Sequence, residues 1–247
     1  MAHNRTDGFS LMGAQYTVSV SVAAQLMQSS WIAGSFGIVI ALVGSPAAIA
    51  YLPDVQIGLD FSKSDKLKRL VYHELAHSSH YTKVGIAYWT ALATNEILAN
   101  GHGNENSPGA GRIALCESWA EHIARTIAHE TYGLNNSIDI SSNPNVNTYI
   151  TWLEKQKNEV TNHIPIGYYY DLQDGVNITE TATDKDWLNG NSDIIIDGVS
   201  GLSNNQLFSL LNSSINSPSD FNTALINSGY LTGANTSQKV NDLFNSY

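Results

Sequence analysis

The sequence predicts a predominantly helical α+β protein: a small sheet beside two motif-bearing helices, followed by a C-terminal helical subdomain. Three observations predict it. Apolar residues recur at helical spacing in most of the chain. Short apolar runs suited to strands are confined to the region before residue 60. The first strongly charged helix carries His73-Glu74-Leu75-Ala76-His77, and a later one carries Glu117 and Glu121. Residues 1–188 are read as one catalytic domain and 189–247 as a small helical subdomain packed on it.

Asp7 and Asp54 enclose 46 residues without a charge. Residues 31–51 are nearly apolar and about long enough to span a bilayer. Internal Gly, Ser and Pro, and the absence of flanking Lys or Arg, favour buried structure instead: a helix near 20–30 and strands near 37–43 and 48–52. Asp54–Leu59 is read as a further strand of the same sheet.

Ser62 or Ser64 can cap the next helix, and Asp65 suits its positive end; no Pro or Gly interrupts it as far as Tyr81. Leu67, Leu70, Val71 and Leu75 are its expected apolar face, with Lys66, Lys68 and Arg69 exposed. These charges keep the helix out of lipid. Positions i and i+4 of a helix lie one above the other, so His73 and His77 can aim two imidazoles at one metal ion. Glu74, a third of a turn away, can reach a water at that ion without being a ligand. His80 is no easy third ligand, because seven residues rise about 10.5 Å along a helix. It reads as a packing or pocket residue. Lys83 stands where an extended zinc pattern would place a third His.

Residues 84–100 predict a helix with Ile86, Trp89, Ala93, Ile97 and Leu98 inward and Gly101 ending it. Residues 101–111 (GHGNENSPGAG) form a mobile loop by composition. His102 within it reads as a solvated loop histidine, with substrate contact as the alternative. Residues 112–132 predict another helix, closed by Gly133, with Ile113, Ala120, Ile123, Ala124, Ile127 and Ala128 buried. Glu117 and Glu121 share one face of it. A zinc ion held by Glu117, with Glu121 bonded to a ligating His, gives both acids a partner. The alternative is a solvated acidic face, which Arg125 at i+4 from Glu121 would suit. Cys116 reads as a small buried residue, and a soft metal ligand is the other option.

H-E-x-x-H followed on a later helix by E-x-x-x-[D/E] resembles the gluzincins, the thermolysin-like zinc metallopeptidase clan. The resemblance covers roughly 54–133. It implies a peptidase in which His73, His77 and Glu117 hold Zn²⁺, Glu74 is the general base and Glu121 supports a ligating His. It also implies that the strand over Asp54–Leu59 aligns a peptide substrate. In one respect the chain departs from the pattern: 39 residues separate His77 from Glu117, more than in thermolysin, so Glu117 depends on that excursion folding back.

Residues 144–160 predict a helix capped by Asn143, and His163, Tyr168, Tyr169 and Tyr170 beyond it are candidates for stabilising an oxyanion or contacting substrate. Three short helices follow near 203–215, 217–228 and 236–247, with a capping box at Ser203 and Gln206 and a Ser217-Pro218 start.

Net charge −10 and a pI near 5.1 argue against nucleic acid or an anionic membrane as partner. The single cysteine excludes an intrachain disulfide. Abundant Asn, Ser, Thr and Gly suggest a secreted or cell-envelope protein, although the polar Met1–Asp7 is not a leader. The expected activity is zinc-dependent hydrolysis of peptides or proteins. The alternative is a catalytically inactive zincin-like protein that binds zinc or peptide at the cell surface.

Overall fold

A computed structural model of the chain describes residues 2–3, 8–10, 55–58, 64–99, 101–132, 165–176, 180–181 and 194–247. The expected helices near 20–30 and 144–160, the strands near 37–43 and 48–52, His163, Gly133 and the 188/189 boundary lie outside the described residues.

The described residues are predominantly helical. Strands β1 (Ala2–His3), β2 (Gly8–Ser10) and β3 (Val55–Gly58) pair in the order β1-β3-β2. The first pairing is parallel and the second antiparallel. β3 is therefore central, and β2 lies against the helix that follows. On its β1 side, β3 is paired at Ile57 and Gly58, and on its β2 side at Val55, Gln56 and Ile57.

Helix α1 runs Ser64–Val84. Gly85, at φ 82°, takes the left-handed turn that stops it, and its N–H donates to Tyr81 O at 2.8 Å. Helix α2 (Ile86–Ala99) follows at once and ends at Gly101, whose N–H donates to Glu96 O at 2.8 Å. Helix α3 (Ala110–Tyr132) is in contact with both.

The inward faces differ from the periodic reading. Leu67 and Leu75 of α1 are exposed, and so are Ile86 and Leu98 of α2. What α1 buries is Glu74, Ala76, His77 and His80. Leu70 and Val71 are partly buried, but the polar stripe faces α3, where charged partners lie, so apolar periodicity misplaced Leu67 and Leu75. In α2 the buried stripe is Tyr88, Trp89 and Leu92, packed on Ile113 and Cys116 of α3.

The other side of α3 carries the main core. Leu115, Trp119 and Ala120 pack with Tyr168 and Tyr169 of α4 (Tyr168–Asp171) and with α5 (Asn204–Leu210), α6 (Pro218–Asn227) and α7 (Ser237–Asn245). Leu207, Phe221, Leu225, Val240 and Leu243 are fully buried, and each contributes about 1.5–3 kcal/mol of transfer free energy. A two-stranded ribbon of β4 (Glu180–Thr181) and β5 (Ile194–Ile195) adds Ile195 to this core. The C-terminal helices begin as expected. Ser203 and Gln206 form a reciprocal capping box, Ser217 caps a Pro-started helix, and Thr236 caps α7.

His122 is fully buried on α3. Its Nε2 lies 2.8 Å from Asn204 Oδ1, which also accepts from Gln173 Nε2 at 2.8 Å. Burial pushes its pKa down to about 4, against the Asn204 bond, which acts to raise it. Between about pH 6.5 and about pH 4 the unfolded chain therefore binds a proton that the folded chain refuses. Stability falls with acidification through that window and levels off below it. The urea midpoint of the metal-free protein should drop between pH 7 and pH 5, and His122→Gln should make the drop shallower. An unchanged slope in the variant contradicts a neutral buried His122.

Candidate metal centre

One turn of α1 and one residue of α3 converge. His73 Nε2 and His77 Nε2 are 3.0 Å apart. Glu117 places Oε2 at 3.2 Å from His73 Nε2 and Oε1 at 3.3 Å from His77 Nε2. The 39 intervening residues fold back as α2 and a tight turn, which removes the obstacle to assigning Glu117. These three are the described residues whose donor atoms cluster closely enough to hold a metal ion.

The donors fit zinc. A tetrahedral Zn²⁺ with bonds of about 2.0–2.1 Å requires ligand atoms about 3.3–3.4 Å apart. The Nε2–Nε2 separation of 3.0 Å is close to this, and each Nε2 has one Glu117 oxygen at such a distance, Oε2 at 3.2 Å for His73 and Oε1 at 3.3 Å for His77. Glu117 Oε2 is buried without a hydrogen bond of good geometry, so the carboxylate lacks full satisfaction in the metal-free chain. Two imidazoles and a carboxylate are a donor set that zinc accepts readily. In the metal-free chain the acids act on His73 instead. Burial works to lower its pKa, but Glu117, Glu121 and Glu74 outweigh it and raise the value to about 9. The site is thus short of positive charge.

Glu121 is buried as well, and its strongest partners are arginines. Arg69 Nη1 reaches Oε1 and Oε2 at 2.6 and 2.7 Å, and Arg125 Nε reaches Oε2 at 2.6 Å. Against the burial cost, Arg125 and then Arg69 hold its carboxyl well below the ordinary range. Its contact with His73 Nδ1 is 3.7 Å, beyond hydrogen-bond length. So Glu121 does face a His of the cluster, but its carboxylate is mainly claimed by the cations. The solvated-face alternative does not hold: Glu117, Glu121 and Arg125 are all nearly inaccessible. Arg69, expected on the exposed side, points across to α3.

Glu74 is buried beside this cluster and acts electrostatically on His73. Trp89 of α2 backs the site, its ring edge-on to His77 at 5.3 Å. His80 is buried behind His77, with Nδ1 at 3.8 Å from Cys116 Sγ and its ring against Tyr88 and Trp89. It is a packing residue, as expected. Cys116 also contacts the Tyr88 hydroxyl at 3.8 Å, and burial holds the thiol protonated.

Two of the tyrosines sought for an oxyanion are core residues. Tyr168 and Tyr169 have no exposure at all. The Tyr168 hydroxyl donates to Asn222 Oδ1 at 3.0 Å, and Tyr169 packs on Trp119, His122 and Phe221. They are core between α3 and the C-terminal helices and cannot touch a substrate. Tyr170 packs beside Ala114 and Ile166.

Of two further residues near the cluster, Glu96 escaped sequence reasoning and His102 was read there as a solvated loop histidine, with substrate contact as the alternative. Glu96 of α2 has its carboxyl pushed up to about 8, by burial first and then by the Glu117 charge, which places it near the acids. It falls at i+4 from buried Leu92 and i+7 from Trp89, so its position on the inward stripe was readable. His102 Nε2 sits 3.4 Å from Glu117 Oε2. No family model, curated protein or solved structure matches the chain.

Replacing Arg125 with Met leaves buried Glu121 with one arginine fewer, and breaking such a pair costs about 3 kcal/mol or more. Chemical denaturation should show that loss, and the double variant Arg125→Met, Glu121→Leu should regain much of it. A single variant within 0.5 kcal/mol of wild type, roughly the ordinary surface effect, would contradict the clamp.

Proposed function

We propose that the protein is a zinc-dependent peptidase. The observation that carries this reading is the convergence of His73 Nε2, His77 Nε2 and both oxygens of Glu117 within 3.0–3.3 Å, with Glu74 buried alongside. His73, His77 and Glu117 hold the ion. Zinc, when bound, polarises a carbonyl and lowers the pKa of water at the site. Glu74 takes the proton of the attacking water and returns it to the leaving amine. Glu121 acts on His73 through its charge at 3.7 Å, and Arg69 and Arg125 keep Glu121 ionised and in place.

The sheet beside α1 belongs to the same reading. An extended peptide would align along a strand edge that the described pairings leave open. Among the described residues no helix is long and apolar enough to cross a membrane, which suits a peptide or protein substrate met in solution. The composition that suggests a secreted or envelope protein is compatible with such a substrate.

Glu74→Gln keeps the buried volume and removes the base. It should retain about one zinc per chain by elemental analysis and lose about 10²–10⁴-fold in turnover of a quenched-fluorescence peptide library. Wild-type turnover by this variant contradicts the role of Glu74. A wild-type protein that binds zinc but cleaves nothing in the library favours the inactive zinc- or peptide-binding alternative.

A further inference from the structure

The segment between α2 and α3 has the composition of a mobile loop, but it is built as a closed turn. Ser107 N donates to Asn104 O at 2.9 Å, Asn104 N to Ser107 Oγ at 2.9 Å, and Asn106 N to Asn104 Oδ1 at 2.9 Å. His102 lies between two glycines in the left-handed region, Gly101 at φ 104° and Gly103 at φ 67°. Gly103 is required twice over. Its φ disfavours any side chain, and a Cβ there would come within 2.4 Å of Ser107 Oγ and 2.8 Å of Ala99 Cβ. The turn thus fixes where the His102 ring emerges, and the ring reaches Glu117.

Glu117 divides its oxygens unequally. Among the described residues Oε1 faces His77, whereas Oε2 faces His73 at 3.2 Å and His102 at 3.4 Å. His102 itself is outside the three-residue ligand cluster, and its side chain keeps 36% exposure. At 3.4 Å this is an electrostatic contact and not a hydrogen bond of good geometry, so it acts on Oε2 when His102 Nε2 turns a proton toward it. A donor on one oxygen of a ligating carboxylate competes with metal for that oxygen and orients the other.

We infer that His102 is a positioning residue for Glu117: held by the Gly101–Gly103 turn, it engages Oε2 so that the carboxylate binds metal through one oxygen. Metal coordination then stays low and a position is left for substrate. This rests on the assignment of His73, His77 and Glu117 as the zinc ligands.

The test is metal binding by the full chain, with cobalt(II) as a spectroscopic probe and zinc affinity measured by competition with a chromophoric chelator. His102→Ala should weaken zinc binding about 10–100-fold, the range for losing a partner that orients a ligand. Its visible cobalt bands should weaken as Glu117 turns to two-oxygen binding and the coordination number rises. His102→Gln, which keeps a donor, should recover both properties in large part. Gly103→Ala, which leaves the imidazole intact but strains its support, should resemble His102→Ala. Thermal melting of each metal-free variant identifies any that fail to fold, and the remaining variants decide. Wild-type zinc affinity and cobalt spectrum in folded His102→Ala overturn the inference while leaving the zinc site standing. A wild-type chain that binds neither metal overturns both.

Discussion

Everything at the candidate metal centre depends on one buried charge cluster, Glu121 held between Arg69 and Arg125. Arg69 belongs to α1 and Arg125 to α3, so the cluster crosses the interface between those helices. A buried carboxylate is costly unless paired and hydrogen-bonded. Two guanidinium groups at 2.6 Å supply that pairing and allow few alternative registers. Glu117, one turn before Glu121 on α3, is thereby set opposite His73 and His77. A slip of α1 along α3 would strand Glu121 and disperse the three donors together.

This arrangement explains why α1 is folded with its polar side inward. His73, His77 and Glu74 are useful only when buried against α3, and the arginine clamp offsets the charge that α3 brings. Elsewhere the fold is maintained by ordinary apolar burial. Trp119 and Ala120, on the other side of α3, pack into the C-terminal helices, whose own ends are secured by Ser203, Ser217 and Thr236. α3 is therefore the shared wall of an apolar core and a charged one.

Much of the site was legible in the sequence, because helix spacing translates directly into geometry. His73 and His77 at i and i+4, and Glu117 and Glu121 at i and i+4, needed only that both stretches be helical. The caps at Ser203 and Ser217 were legible for the same local reason. What periodicity could not supply was which side of α1 faced inward. Leu67 and Leu75 looked like a core stripe, and Arg69 looked solvated, because the competing charges lay 52 residues away at Glu121. His102 was read as a solvated loop residue because its placement depends on backbone turns and not on its neighbours' polarity. Tyr168 and Tyr169 show the reverse: an aromatic run has the same appearance in a core and beside a substrate, and here Phe221 and Trp119 decide in favour of the core.

The central claim is that His73, His77 and Glu117 hold one zinc ion. X-ray absorption at the zinc edge of the loaded protein tests it most directly. The account predicts a low-coordinate shell of nitrogen and oxygen at about 2.0–2.1 Å with the outer-shell signature of two imidazoles. A sulfur shell at about 2.3 Å, which Cys116 alone among the protein's cysteines could supply, or a shell lacking imidazole, would contradict it.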